Sequence, residues 1–286
     1  MAAKQWCIGV LGCGYVGQQL LQQLLQQQWH HFSWHRSSWY TVHHNDAQLA
    51  YQSIGFSLDN ADSWDNLPQQ ADCLVFTIPP GYQDRQKEAQ RLTDWCDWMK
   101  LNRPGLKRLI YISTIGVYSD DADIYTEQSQ CRPSSLKGHL RLMSEQILSR
   151  YFQCSAIRCG GIYGPERNIV EKLLAGKAVY RGNKPMYRIH LEDLVNIITQ
   201  LVEQSTAIDC INAVDGHSAS QDEIIEWLLQ QPYFKEQAPQ SLNFQRKRLD
   251  ADATAVARII SNRLIFAGLG YRLQYPNFKA LVPSGL

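Results

Sequence analysis

Short apolar runs alternate with amphipathic stretches along the first half of the chain. Residues 7–11, Cys-Ile-Gly-Val-Leu, read as a strand. Over residues 16–27, Val16, Leu20, Leu21, Leu24 and Leu25 fall on one helical face, with glutamines on the other. Further strands are expected at 31–35 and near 53–57. Residues 73–78 are almost wholly apolar and end at Pro79-Pro80-Gly81, as in a strand covered on both faces. A long helix is expected at 83–99, a strand at 108–113, a helix at 140–151 and a short strand at 155–158. This alternation specifies an α/β fold with a parallel sheet wound on both sides.

Beyond about residue 160 the rhythm changes. Tyr163-Gly164-Pro165 opens a loop. Residues 169–174, 192–203 and 221–229 read as helices and 210–214 as a strand. Residues 231–248 mix Pro, Gln and basic side chains and read as loop.

Composition narrows the function classes. The 286 residues suffice for one large α/β domain plus a smaller lobe. Lys and Arg total 28 against 27 Asp and Glu, so no basic excess points to nucleic acid or to a membrane surface. The mean hydropathy is −0.34, no apolar run approaches membrane-spanning length, and the N-terminus resembles no leader. A cytoplasmic protein is expected. None of the eight cysteines forms a Cys-x-x-Cys pair, and several fall in expected strands, so they read as reduced thiols. The histidines around residues 30–44 lack convergent spacing with acids or cysteines, so no metal site is expected.

The most specific motif is Gly12-Cys13-Gly14-Tyr15-Val16-Gly17, set between the first strand and the first helix. Gly12 permits a tight turn, Gly14 lets a pyrophosphate approach the backbone, and Gly17 lets helix pack on strand. Free N–H groups at the helix start, those of Tyr15 and Val16 included, favour the phosphates. Combined with the strand–helix alternation, this is a Rossmann dinucleotide-binding domain over 1–160. A smaller C-terminal α/β lobe over 161–286 is interleaved with its sheet. Ile78 and Pro79, at the end of another buried strand, are assigned to the same cleft.

Sites that take NAD place an acid at the end of the second strand. Here that stretch is Ser33-Trp34-His35-Arg36-Ser37-Ser38. Arg36 and Ser37 suit the 2′-phosphate of NADP; the alternative is a solvated arginine, with NAD as cofactor. Asp59 reads either as an adenine contact or as the N-cap of the next helix.

With these motifs in order, the chain resembles the extended short-chain dehydrogenase/reductase superfamily, which includes NAD-dependent epimerases and dehydratases. The resemblance rests on the glycine motif, on Tyr111-Ile112-Ser113-Thr114-Ile115-Gly116-Val117-Tyr118, on Arg158-Cys159-Gly160-Gly161-Ile162-Tyr163-Gly164-Pro165, and on Arg188-Ile189-His190-Leu191-Glu192-Asp193-Leu194. Residues 271–278 resemble the ending of small bacterial members. The resemblance implies a catalytic hydroxyl at Thr114 with Ser113 beside it on substrate; a strand-end cap is the other reading of Thr114. It implies Ile162 near the nicotinamide amide, and Arg158, Arg167 and Arg188 toward anionic substrate groups. His190 and Asp193 read as structural.

One departure matters. The superfamily's catalytic Tyr-x-x-x-Lys is missing; its two positions fall on Lys137 and Arg141. Arg141 keeps a charge for ribose or phosphate but cannot relay protons. Lys137 serves as acid/base only if desolvated, and otherwise is a binding or solvated lysine. Two functions follow. One is an NADP-dependent oxidoreductase or epimerase-like enzyme on a small polar or nucleotide-sugar substrate, with a non-standard active site. The other is a non-catalytic NADP-binding sensor or scaffold. The resemblance also implies pairing into a homodimer through the helices at 83–99 and 140–151.

Overall fold

The computed structural model describes residues 7–26, 30–34, 41–42, 56–67, 69, 71–121, 123–167, 185–204, 207–232 and 258–281. Strand β1 (Cys7–Leu11) passes through the glycine turn into helix α1 (Tyr15–Gln26). Then come β2 (His30–Trp34), β3 (Thr41–Val42), β4 (Cys73–Phe76), α2 (Arg85–Asn102) and β5 (Arg108–Thr114). Strand β6 (Ile124–Tyr125), α3 (Leu136–Tyr151) and β7 (Cys154–Cys159) follow. The remainder comprises β8 (Gly161–Tyr163), β9 (Arg188–His190), α4 (Leu191–Glu203), β10 (Cys210–Ala213), α5 (Gln221–Leu229), β11 (Ile259–Ile260) and α6 (Arg263–Leu269).

The main sheet runs β10-β7-β5-β4-β1-β2-β3. Strand β1 lies parallel between β2 and β4, β4 is parallel to β5, and β3 turns back antiparallel on β2. This is the Rossmann order, in which the chain reverses direction across the sheet beside β1. The burial of β4 and β5 matches their sequence: Cys73 to Phe76 and Arg108 to Ser113 are all buried. Two small parallel pairs, β6 with β11 and β8 with β9, complete the strands.

The chain divides into two compact units. The first comprises residues 1–119, 130–158 and 195–211; the second comprises 120–129, 159–194 and 212–286. A core cluster in the first unit joins Leu11, Leu74 and Phe76 of the sheet to Trp95 and Met99 of α2 and Leu148 of α3. Trp95 meets Phe76 edge-on at 5.4 Å between ring centroids. Arg108 is buried here although charged, because its Nη1 donates to the Leu201 and Gln204 carbonyls at the end of α4, at 2.7 and 2.9 Å. A guanidinium at a helix C-terminus satisfies carbonyls that have no intrahelical donor.

Helix starts follow their caps. Asp84 caps α2 by accepting from Gln86 N and Lys87 N, and Ser135 caps α3 by accepting from Gly138 N. The Ser135 cap starts α3 a turn earlier than apolar periodicity alone indicates, so Lys137 lies in its first turn. The strand expected near 53–57 leaves in the described residues only an isolated bridge between Ser57 and Asn60. The helix expected at 169–174 and nearly all of the 231–248 loop lie outside the described residues. Among the described residues, no helix is long and apolar enough to cross a membrane.

Candidate functional site: the glycine turn and the inner face of helix α3

The turn after β1 is built for close approach. Gly12 has φ +96°, and a Cβ there would lie 2.5 Å from Thr77 Oγ1 and 3.1 Å from Ile78 Cγ1. A non-glycine residue would be strained by conformation and blocked by contact. Thr77 holds the turn shut: its N–H donates to Leu11 O at 2.8 Å and its hydroxyl to Gly12 O at 2.5 Å. A Cβ on Gly17 would run into Gly12 O, so α1 can pack this close only with glycine. Gly14 differs. A Cβ on it meets nothing within 4 Å among the described residues. That open side lies at the start of α1, whose first turn holds no acid and whose first N–H groups have no intrahelical acceptor. The arrangement fits a pyrophosphate. Val16 is buried, while Tyr15 and Ile78 are half-buried and Pro79 is exposed. Arg36 and Ser37 lie outside the described residues.

Asp59 is not a helix cap. Asn60 caps the 3-10 turn Ala61–Asn66 by accepting from Asp62 N at 3.2 Å. The Asp59 carboxylate instead stands 3.7 Å from Arg91 Nη1 and pairs with the Tyr82 hydroxyl.

The second group of expected residues gathers along β5, α3 and β7. Thr114 ends β5, and its Oγ1 accepts from Gly116 N at 3.1 Å, capping the turn Ile115–Val117. As acceptor in that bond the hydroxyl keeps its proton for donation, so the cap and a contact to substrate are compatible. Arg141 reaches inward from α3, and its Nη1 donates to Ile112 O at 2.7 Å and to Tyr111 Oη at 3.0 Å. Gly138, one turn earlier, abuts Gly116 O; a Cβ there would also lie 2.8 Å from Pro133 Cβ. These contacts fix the rotation of α3, which presents Lys137 to solvent in its first turn.

Ser113 and Arg158, which the resemblance assigns toward substrate, lie in a buried network. The Ser113 hydroxyl donates to Glu145 Oε1. Arg158 Nη2 donates to Glu145 Oε2 at 2.8 Å, and its Nη1 donates to Tyr118 Oη at 2.9 Å. Burial opposes the charge of Arg158, but the hydrogen bond and charge of Glu145 outweigh it and push its pKa up. Sequence reasoning passed over Glu145. Its signal was present: an arginine inside a strand of buried residues needs acceptors, and Glu145 offers a carboxylate four residues beyond Arg141 on the same helical face.

In the second unit, Ile162 pairs with Ile189 across β8 and β9. Arg167 is exposed in a turn, its N–H on Gly164 O at 3.1 Å. Arg188 is buried, and its Nη1 donates to Met186 O and Ala219 O, both at 2.8 Å. Burial lowers its pKa, with Asp215 opposing. Asp215, which drew no attention in the sequence, is 1% exposed, and its Oδ2 has no hydrogen-bond partner among the described residues. Burial pushes its carboxyl up to about 7. His190 stacks on Tyr275 at 3.6 Å, and Asp193 accepts from Tyr271 Oη, Gln274 N and Tyr275 N. Both therefore tie the C-terminal segment to the start of α4, a structural role.

Among the described residues, no group of three or more His, Cys, Asp or Glu could hold a metal ion. Cys13, Cys73, Cys96, Cys131, Cys154, Cys159 and Cys210 form no disulfide, and burial pushes the Cys73 thiol up to about 12.

The chain is similar to several known proteins. A family model described as the NAD dependent epimerase/dehydratase family matches residues 8–212. Protein YeeZ of Escherichia coli (strain K12) is 26% identical over 230 residues, covering 76% of each chain. Among solved structures, a functionally unknown conserved protein from Silicibacter pomeroyi superposes with a TM-score of 0.70 at 20% identity, over 96% of each chain. UDP-N-acetylglucosamine 4-epimerase from Bacillus cereus gives 0.69 at 15% identity, again over 96% of each chain. The dTDP-glucose 4,6-dehydratase DesIV from Streptomyces venezuelae, solved with NAD and TYD, gives 0.74 at 19%, over 94% of this chain and 92% of that one. At these identities the superpositions speak for the fold.

Proposed function

Because the chain belongs to the NAD dependent epimerase/dehydratase family, we propose that it is an NADP-dependent oxidoreductase or epimerase-like enzyme for a small polar or nucleotide-sugar substrate. Its acid/base chemistry differs from the family's usual Tyr-x-x-x-Lys. The observation that carries the cofactor half is the open approach at Gly14 between two glycines locked by contact. The absence of an acid in the stretch after β2, together with Arg36 and Ser37, favours NADP over NAD. Asp59, which follows the third expected strand and does not cap the next turn, is the adenine contact of this reading.

A bound nicotinamide supplies hydride transfer at a substrate carbon. The chain's own residues do the rest. The Thr114 hydroxyl hydrogen-bonds the reacting oxygen, and the Gly116 N–H fixes its orientation. Lys137 gives or takes the proton once substrate shields it from water, since desolvation favours the neutral amine. Arg141 is held on Ile112 O and offers its remaining N–H groups to ribose or phosphate. The Ser113–Glu145–Arg158 network sets the height of Thr114. Nucleotide-sugar substrates are favoured by the activities named for the Bacillus and Streptomyces structures. Self-association through α2 and α3 belongs to the same proposal, with sedimentation as its readout.

The test is titration of the purified protein with NADPH and NADH, then turnover on a panel of nucleotide-sugars. NADPH is expected to bind roughly 10-fold or more tightly than NADH, and Arg36→Ala to erase that margin. Thr114→Val and Lys137→Met are expected to keep NADPH affinity and lose turnover. A second reading, a non-catalytic NADP-binding sensor, draws on Arg141, whose fixed guanidinium cannot relay protons. NADPH binding without turnover on any member of the panel would select it.

A further inference from the structure

The loop after β4 closes on the glycine turn, and two side chains hold it there. We infer that Thr77 and Glu88 are positioning residues for the dinucleotide: Thr77 fixes the first peptide of the glycine turn, and Glu88 fixes the loop that carries Thr77. This inference rests on the dinucleotide reading above and assigns residues that reading does not use.

Gly12 is where the turn needs fixing. It has φ +96° and no Cβ, so the peptide joining it to Cys13 is able to turn over. One hydroxyl decides its orientation. Thr77 Oγ1 lies 2.5 Å from Gly12 O and 3.0 Å from Leu11 O, and its single proton is shared between the two carbonyls. A trans peptide sets its C=O and N–H on opposite sides. Pinning Gly12 O toward Thr77 therefore aims the Cys13 N–H away from it. The N–H groups that open α1 continue from that plane. Gly17 packs against the same oxygen from the helix side, so Gly12 O is held between α1 and Thr77.

Thr77 must itself be held, because β4 ends at Phe76. Its N–H donates to Leu11 O at 2.8 Å. Beyond it run Ile78, Pro79 and Pro80. Proline fixes its own φ and confines the residue before it to extended conformations, so these three residues form a stiff link from Thr77 to Gly81. At the far end Glu88 Oε2 accepts the backbone N–H groups of Gly81 and Tyr82, each at 3.0 Å. Its Oε1 accepts from Arg91 Nη2 at 2.5 Å. Gly81 and Tyr82 are exposed, so water could serve their N–H groups, whereas Glu88 is 2% exposed. Burying a carboxylate for two exposed amides costs the fold more than leaving them to water. What it achieves is a loop end held in one place. Gly81 permits the clamp, since a Cβ there would lie 2.8 Å from Arg91 Nη1. A turn set before the ligand arrives binds it without a further ordering cost.

The test uses the full chain and NADPH, with the dissociation rate read by nicotinamide fluorescence and the melting temperature measured beside it. Thr77→Val puts a methyl where Oγ1 stands, and carbon does not stay 2.5 Å from an oxygen. NADPH should then leave roughly 10-fold faster. Thr77→Ser keeps the hydroxyl and should stay within about twofold of the wild type, whatever its melting temperature. Glu88→Gln leaves one acceptor oxygen where two serve, so the loop end and Arg91 compete for it and NADPH should leave severalfold faster. The double variant should match Thr77→Val alone, because both changes act through one turn. If Thr77→Val releases NADPH at the wild-type rate, or Thr77→Ser releases it as fast as Thr77→Val, the positioning role is overturned while the cofactor reading stands. Rate increases that multiply in the double variant would overturn the route from Glu88 through the loop. If the wild type binds neither NADPH nor NADH, the cofactor reading and this inference fall together.

Discussion

Two buried acid–arginine pairs invite comparison, one in each unit. In the first unit, Glu145 receives Ser113 on Oε1 and Arg158 on both oxygens, while Arg158 passes a further N–H to Tyr118. In the second, Arg188 directs its Nη1 to two backbone carbonyls, and Asp215 accepts a long 3.4 Å bond from Arg188 N besides one from its own turn, with Oδ2 unpartnered among the described residues. Both acids are buried, at 7% and 1% exposure. The electrostatic outcomes are opposite. Arg158 is pushed up by its partner, whereas Asp215 is pushed toward neutrality at about 7. Burial is common to both, so the hydrogen bonds decide whether a buried charge is retained.

The largest effect is expected from breaking the first pair. Arg158→Met leaves Glu145 charged and buried, and should cost roughly 3–5 kcal/mol in urea unfolding. Adding Glu145→Leu should recover most of that loss, because an apolar pair needs no compensation. If the single and double variants are equally destabilised, shape rather than charge governs this site.

Asp215→Asn tests the other side, with the opposite sign. The folded-state pKa of Asp215 lies near 7, above its usual 3.8. The fold therefore prefers the neutral form. Wild-type stability from this group is intact below about pH 4, falls as pH rises from 4 to 7, and is level above that. Asparagine mimics the neutral acid. Its stability gain should be near zero at pH 4 and reach an upper bound of about 4 kcal/mol at pH 8, read as a pH-dependent shift in unfolding midpoint. A gain independent of pH would contradict the burial argument.

The contrast also explains what the sequence could disclose. Elements with strong local signals stood in plain view: the glycine turn, the all-apolar β4, and the α1 face carrying Leu20, Leu21 and Leu24. The two-residue strands Ile124–Tyr125 and Ile259–Ile260 were not legible, because they are defined by each other across 133 residues of chain rather than by periodicity. The same holds for the site. Thr114 and Arg141 were found through motif positions, and their partners, a backbone N–H and two groups on β5, emerged only with the fold. Asp215 was invisible because nothing in Val-Asp-Gly announces a carboxylate that the fold buries with one oxygen lacking a donor among the described residues.

Two smaller changes convert the first pair stepwise toward the second. Tyr118→Phe removes the oxygen that Arg158 Nη1 reaches and leaves a buried N–H without its acceptor. It should cost about 1–3 kcal/mol. Ser113→Ala removes only one of the donors to Glu145, whose Arg158 bonds remain, and should cost about 1 kcal/mol. Its value lies in the split between stability and turnover. Ser113 directly precedes Thr114, so if the network sets the height of the Thr114 hydroxyl, Ser113→Ala lowers kcat well beyond what its small stability loss explains. Under the proposed function, dinucleotide affinity should hold. A kcat that tracks stability alone would confine the network to the fold and leave Thr114 positioned by the Gly116 N–H.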